Sequence, residues 1–157
     1  MARPKKVRRV GKPPIAMGMK PVGVRRRNLD SVVLNLDEYE AIRLSDYKKL
    51  SHKEAAEKLE VSRPTFTRLI DSAHKKISEA IIKGKEIIIE GGNVHFNNFI
   101  YICQDCGYSF EAFPYEEIEK CPECGSFNIL NRAKNFGHSR GCCRRRRRRG
   151  NGRSRNY

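Results

Sequence analysis

The strongest periodic signal in the chain lies between Leu50 and Ile82. Ala55, Ala56 and Leu59 mark a short apolar stripe, and Phe66, Leu69, Ile70, Ala73, Ile77 and Ile81 mark a longer one at three- and four-residue steps. Each stripe has its own start signal. Ser51 followed by Glu54 forms a capping-box pattern, while Ser62 is placed as an N-cap with Pro64 in the first turn, where a missing N–H costs nothing. The first helix is expected to stop near Glu60 and Val61, and the second at Gly84. A further helix is expected upstream, from the Asn35/Glu38 start through Tyr39, Ala41, Ile42 and Leu44 to about Tyr47. Residues 31–34 and 85–90 are β-leaning runs, able to pair within one subunit or across a dimer. These patterns predict a mainly α fold, a three-helix core with a helix-turn-helix, followed by a small β zinc ribbon and flanked by disordered basic termini.

A short helix, a tight turn and a longer helix with a polar, Arg-bearing front match helix-turn-helix logic. In that arrangement the second helix enters the major groove N-terminus first, so side chains of its first two turns reach base edges. Arg can bridge two acceptors on guanine, and Ser or Thr can contact bases or phosphates. Free N–H groups at the helix start also suit a phosphate. The residues expected to contact DNA are therefore Ser62, Arg63, Thr67 and Arg68, on a recognition helix spanning residues 63–83. The alternative is an ordinary helical hairpin with a solvated charged face.

Charge sharpens this picture. The 157-residue chain carries +15, unevenly placed. Residues 1–30 hold ten Lys/Arg against Asp30, and residues 131–157 hold eleven with no acid. Residues 31–96 balance, while residues 97–130 set Lys120 against six acids. Two basic ends around a nearly neutral centre point to a polyanion partner, double-stranded DNA, or else to solubilising tails. Four prolines and three glycines in residues 1–30 argue for an extended arm there. The organisation expected is a basic arm (1–30), a helix-turn-helix domain (31–96), a four-cysteine ribbon (97–130) and an Arg-rich tail (131–157). With no long apolar run, a cytoplasmic, nucleoid-associated protein is expected, with no membrane partner.

The ribbon carries the second candidate site. Cys103-x2-Cys106 and Cys121-x2-Cys124 are separated by fourteen residues, and each pair is followed by glycine, Gly107 or Gly125, letting the backbone curl so that N–H groups face the sulfurs. Two such knuckles suit a tetrahedral four-thiolate ion, zinc by preference and iron as the alternative. A module this small draws much of its stability from the metal. Its acidity argues against contact with DNA and for a protein partner or the chain's own Arg-rich tail. In the tail, His138, Cys142 and Cys143 could form a second cluster, although adjacent cysteines chelate one ion awkwardly.

The run from MKPVGV through VVLNLDEYEAIRLSDYKKLSHKEAAEKLEVSRPTFTRLIDSAHKKISEAIIKGKEIIIEGG resembles the UPF0251 family, predicted DNA-binding proteins of archaea and bacteria; the start MARPKKVRRV is similar too. The resemblance covers about residues 1–95 and implies DNA binding. The helical part also resembles the fourth region of bacterial sigma factors, whose contacting positions match Ser62, Arg63, Pro64, Thr67 and Arg68 here. Sigma factors often place charged residues where this chain has Pro64 and Thr65, so base preference does not transfer. Family members often carry cysteine in the basic arm, where this chain has Val7 and Gly11, so the arm is assigned no metal role. YICQDCGY and CPECGS resemble rubredoxin knuckles, which is what keeps iron in play. The functional expectation is a sequence-specific DNA-binding regulator, a homodimer or a monomer with a clamping arm. Its alternatives are an iron redox or metal-sensing module on a DNA-binding protein, or an RNA binder working through the Arg-rich ends. Neither a phosphate-binding glycine loop nor a nucleophile with a base is legible, and no enzyme is expected.

Overall fold

The computed structural model describes residues 7–136. Its helices begin where the caps require. Leu36–Ile42 (α1) starts at Asn35, whose backbone N–H is accepted by the Glu38 carboxylate at 2.9 Å, and passes into a wider turn over Arg43–Tyr47. His52–Leu59 (α2) starts at Ser51, whose Oγ accepts the Glu54 N–H at 3.3 Å while Glu54 accepts the Ser51 N–H at 2.9 Å. It ends where Glu60 turns left-handed at φ 55°, and Ser62 then caps Arg63–Lys83 (α3). Gly84, at φ 61°, closes α3 in the conformation that glycine adopts without a Cβ clash.

Ala41, Leu44, Ala55, Ala56, Leu59, Phe66, Leu69 and Ile70 form one buried cluster among these helices. The stripe expected on α3 holds through Ala73, but Ile77 is only half-buried and Ile81 is 71% exposed. The last turns of α3 bury Ala80 instead, because the helix outruns the elements packed on it.

The expectation of a mainly α protein is wrong. Among the described residues, eight strands form three small sheets beside the three α-helices. Arg8–Val10 (β1) pairs in parallel with Val94–Phe96 (β5). Gly18–Met19 (β2) and Ser31–Leu34 (β3) flank Glu86–Ile89 (β4), antiparallel and parallel respectively. The β3–β4 pair thus forms within one chain. Phe99–Cys103 (β6) lies between Ser109–Ala112 (β7) and Ile129–Asn131 (β8), both antiparallel to it.

Disorder of the N-terminal basic segment is corrected with it for residues 7–30. Val10, Pro13 and Pro14 are fully buried, and β1 and β2 complete two of the sheets. Proline and glycine exclude helix there, but they leave short strands open, and apolar burial supplies the ordering energy. The Arg-rich tail, with His138, Cys142 and Cys143, lies outside the described residues beyond Phe136, as do residues 1–6.

The second buried cluster crosses the whole molecule. Val10 of β1, Leu34 of β3, Leu36 of α1 and Ala73 of α3 pack with Phe96, Phe99, Tyr101 and Ala112, so the cysteine-bearing sheet shares a core with the helices.

Three carboxylates of α1 hold this arrangement together: Asp37, Glu38 and Glu40 are all buried. Asp37 pairs with Arg8 of β1. Glu38 accepts from Ser72 Oγ at 2.7 Å and Lys76 Nζ at 2.7 Å, both on α3. Glu40 accepts two bonds from Arg43 at 2.7 Å each and the Gly11 N–H at 3.0 Å. The Glu40 bonds raise the pKa of Arg43 above its ordinary value, whereas desolvation lowers that of Arg8. Glu40→Ala would strand a partly buried guanidinium and a backbone N–H, and is expected to cost roughly 2–4 kcal/mol. Urea unfolding of the metal-loaded protein checks this, with exposed Glu57→Ala expected to stay within about 0.5 kcal/mol of wild type.

Candidate functional site

Two surfaces carry chemistry. The first is the start of α3. Arg63 and Arg68 are exposed and lack an ion-pair partner among the described residues. Ser62 is also exposed, with its Oγ 3.4 Å from the Thr65 N–H and 2.7 Å from Thr65 Oγ1, so capping already engages it. Thr67 is half-buried: its hydroxyl donates to the Arg63 carbonyl at 3.2 Å and lies 3.2 Å from His52 Nδ1. The free polar atoms of this face are thus the two guanidinium groups, with both hydroxyls committed to shaping the helix.

From the sequence His52, isolated from other histidines, is expected only as a surface or packing residue, and it does pack. Its ring meets Phe66 edge-on at 5.3 Å while its Nδ1 reaches Thr67, tying the first residue of α2 to the second turn of α3. No spacing rule marks it, because the contact depends on how the two helices cross. Arg9 reaches the turn between them, with its Nε 3.0 Å from Glu60 Oε1, so β1 passes beside this face.

The second surface is the cysteine cluster. Cys103 ends β6 and Cys106 follows in its turn; Cys121 and Cys124 sit in a matching turn before β8. In each knuckle the glycine N–H donates back to the first cysteine's carbonyl, Gly107 to Cys103 at 3.0 Å and Gly125 to Cys121 at 2.9 Å. Both glycines have the positive φ expected of the repeat, 75° and 71°. The knuckles are cross-linked by polar contacts: Asp105 accepts from Ser126 Oγ, and from Asn128 Nδ2 at 3.1 Å. These two bonds, Ser126 first, hold the Asp105 carboxyl below the usual carboxylate range.

All four sulfurs lie within 4.8 Å of one another, with Cys103 and Cys124 separated by 3.5 Å and Cys106 and Cys121 by 3.7 Å. A regular tetrahedron of thiolates around an ion at ~2.3 Å has edges of ~3.8 Å, so the set fits one ion. The electrostatics agree. The Cys106 N–H, aided by that of Asp105, draws the Cys103 thiol down to about 7. At Cys106 the Tyr108 N–H favours the thiolate, but desolvation and the three neighbouring cysteines outweigh it and push the thiol up to about 12. Four sulfurs this close cannot all ionise without a cation between them. A four-coordinate set would leave the ion no open position for a substrate.

We expect one divalent ion per chain, measured by elemental analysis and native mass spectrometry. Cys106→Ser should remove at least 90% of it, by analogy with ~10-fold or larger losses on altering metal shells. Affinity should fall as pH falls, because each thiol must lose a proton to bind, and chelation should lower the unfolding temperature. Unchanged metal content in Cys106→Ser would count against the site.

The known proteins agree on one family. The family described as "Protein of unknown function DUF134" matches residues 1–97. A UPF0251 protein of Chloroherpeton thalassium is 52% identical over 129 residues, spanning 82% of this chain and 85% of that relative. A UPF0251 protein of Moorella thermoacetica is 40% identical over 152 residues, spanning 97% and 99%. One of Caldicellulosiruptor bescii is 41% identical over 139 residues, spanning 88% and 94%. Among the described residues no helix is long and apolar enough to cross a membrane. With a family match across more than half its length and relatives aligned through its cysteine cluster, the chain belongs to the UPF0251 family.

Proposed function

We propose that this protein is a sequence-specific DNA-binding regulator of transcription that lays the start of α3 in the major groove. One observation carries this reading: the two arginines at the front of α3, Arg63 and Arg68, are exposed and lack an ion-pair partner among the described residues, on a helix whose opposite face is locked by Phe66, Leu69 and Ile70. A rigid helix with free forked donors at its N-terminal end is what base-edge readout requires. The left-handed Glu60 and the three-residue turn between α2 and α3 support a helix-turn-helix reading. Thr67, held by His52 and the Arg63 carbonyl, positions the helix and offers its methyl group to thymine.

In this reading the ion in the cysteine cluster is zinc with a structural role, since a closed thiolate tetrahedron supplies folding energy. The zinc-loaded protein would be colourless, and a coloured, reversibly reducible protein would indicate iron instead.

Selection of binding sites from random duplex at near-physiological salt tests the DNA reading. Wild type is expected to enrich one motif, and a two-fold repeat within it would show that chains bind in pairs. Arg68→Ala and Arg63→Ala are each expected to lose about 1–3 kcal/mol for the selected site, roughly 5- to 150-fold, with relaxed preference at one base pair. Equal retention of all three proteins without enrichment would refute base readout.

A further inference from the structure

Ile100 is buried on the wrong side of its sheet. Side chains alternate along β6, so Phe99 and Tyr101 point into the common core and Ile100 points away from it. Ile100 is nevertheless only 8% exposed. Segment 12–15, α1 and the turn after α1 close over it and leave a cavity of about 460 Å³, a size usual for small-ligand sites. Tyr39 and Ile42 of α1 and Arg43 just after it line the cavity, at the three- and four-residue spacing that brings helical side chains together. The N-terminal segment is pinned before it at Gly11, whose N–H donates to Glu40 at 3.0 Å and whose carbonyl accepts from the Asn98 N–H at 2.9 Å. Buried Pro13 then forms wall, while Ile15 and Tyr47, 74% and 79% exposed, stand at the rim.

The charged groups of this cavity favour an anion. Among the described residues no acidic side chain lines it, whereas Lys12, Arg43 and Lys48 do. Lys12 and Arg43 are held at 2.7 Å by Glu111 and Glu40, carboxylates outside the lining. Lys48 has no ion-pair partner among the described residues, and its ammonium lies 5.9 Å from the centroid of the Tyr47 ring. The Tyr39 hydroxyl likewise has no hydrogen-bond partner among the described residues. Desolvation first, and then Glu40, raise the pKa of Tyr39, so it stays a proton donor. A free ammonium, a free phenol, two tyrosine rings and aliphatic walls within one cavity suit a carboxylate carried on a flat apolar body.

We propose that the cavity between segment 12–15, α1 and β6 is a binding site for a small aromatic carboxylate. The ring lies against Pro13, Ile42 and Ile100, and the carboxylate takes the Lys48 ammonium and the Tyr39 hydroxyl. This site does not rest on the DNA reading, and its test contains no DNA.

The test titrates three probes of one shape into the full metal-loaded chain and follows binding by two-dimensional NMR. They are indole-3-acetate, its uncharged amide indole-3-acetamide, and the cation tryptamine. Indole-3-acetate is expected to bind roughly 10-fold more tightly than either analogue, about what one charge-assisted hydrogen bond contributes. Its saturable shifts should fall at Ile15, Tyr39, Tyr47, Lys48 and Ile100. Lys48→Ala should remove most of that preference, and Ile15→Asp, which sets an acid at the rim, should weaken indole-3-acetate while sparing tryptamine. Both side chains are exposed, so both variants are expected to keep the metal content and unfolding temperature of wild type. Equal binding of the three probes would overturn the proposal. So would shifts confined to other residues, an acid preference that neither variant changes, or no saturation by indole-3-acetate in the millimolar range.

Discussion

The fold depends on three carboxylates taken out of water on one two-turn helix. Asp37, Glu38 and Glu40 are each below 5% exposed, and each reaches a different part of the chain: β1, α3, and the Gly11–Arg43 pair. A lone buried carboxylate would cost several kcal/mol, so the helix can bury three only if every partner arrives in register. That requirement acts as a specificity device. An α1 packed without β1 leaves Asp37 unmatched, and an α3 shifted by one residue separates Ser72 and Lys76 from Glu38. Apolar packing alone tolerates such slips far better. Gly11 belongs to the same constraint, since a Cβ there would come within 2.9 Å of Arg43 and 3.2 Å of Glu40.

The cysteine cluster is joined to this frame through β6. Its first residues, Phe99 and Tyr101, are buried in the cluster that also holds Leu36 and Ala73, while its last residue, Cys103, is a candidate ligand. A five-residue strand thus has one end in the common core and the other in the four-sulfur set. Energy gained when thiolates close on an ion restrains the end of a strand whose other side chains pack on α1 and α3. A free-standing ribbon would keep that energy to itself.

Much of this was legible in the sequence, for identifiable reasons. Caps are local, so Ser51/Glu54, Ser62 and Gly84 marked helix ends that the structure places at the same residues. Cysteine spacing is also local, and it brought the four sulfurs together correctly. Strands of two or three residues, such as Gly18–Met19 and Arg8–Val10, are too short to show alternation, and their partners lie about 70 to 90 positions away, which hid β1, β2 and β5. The burial of the α1 acids was not legible, because charge is normally a surface marker and only Arg8 and Lys76, distant in sequence, together with neighbouring Arg43 make it possible. The helical period ran on to Ile81, but a repeat cannot tell where its packing partner ends.

The distribution of charge gives the molecule two electrostatic faces within a single packed unit. Buried acids engage Arg8, Arg43 and Lys76, and half-buried Glu79 pairs with Lys85. Formal charge therefore overstates the surface field, whereas Arg63 and Arg68, without an ion-pair partner among the described residues, count in full. Exposed Glu116, Glu119 and Glu123 belong to the cysteine-bearing part of the chain, whereas the two arginines stand on α3. At physiological ionic strength the screening length is about 8 Å, so exposed charges farther apart than that act largely independently. Coupling between the two parts of the molecule must then be carried by the packed core that joins β6 to α1 and α3.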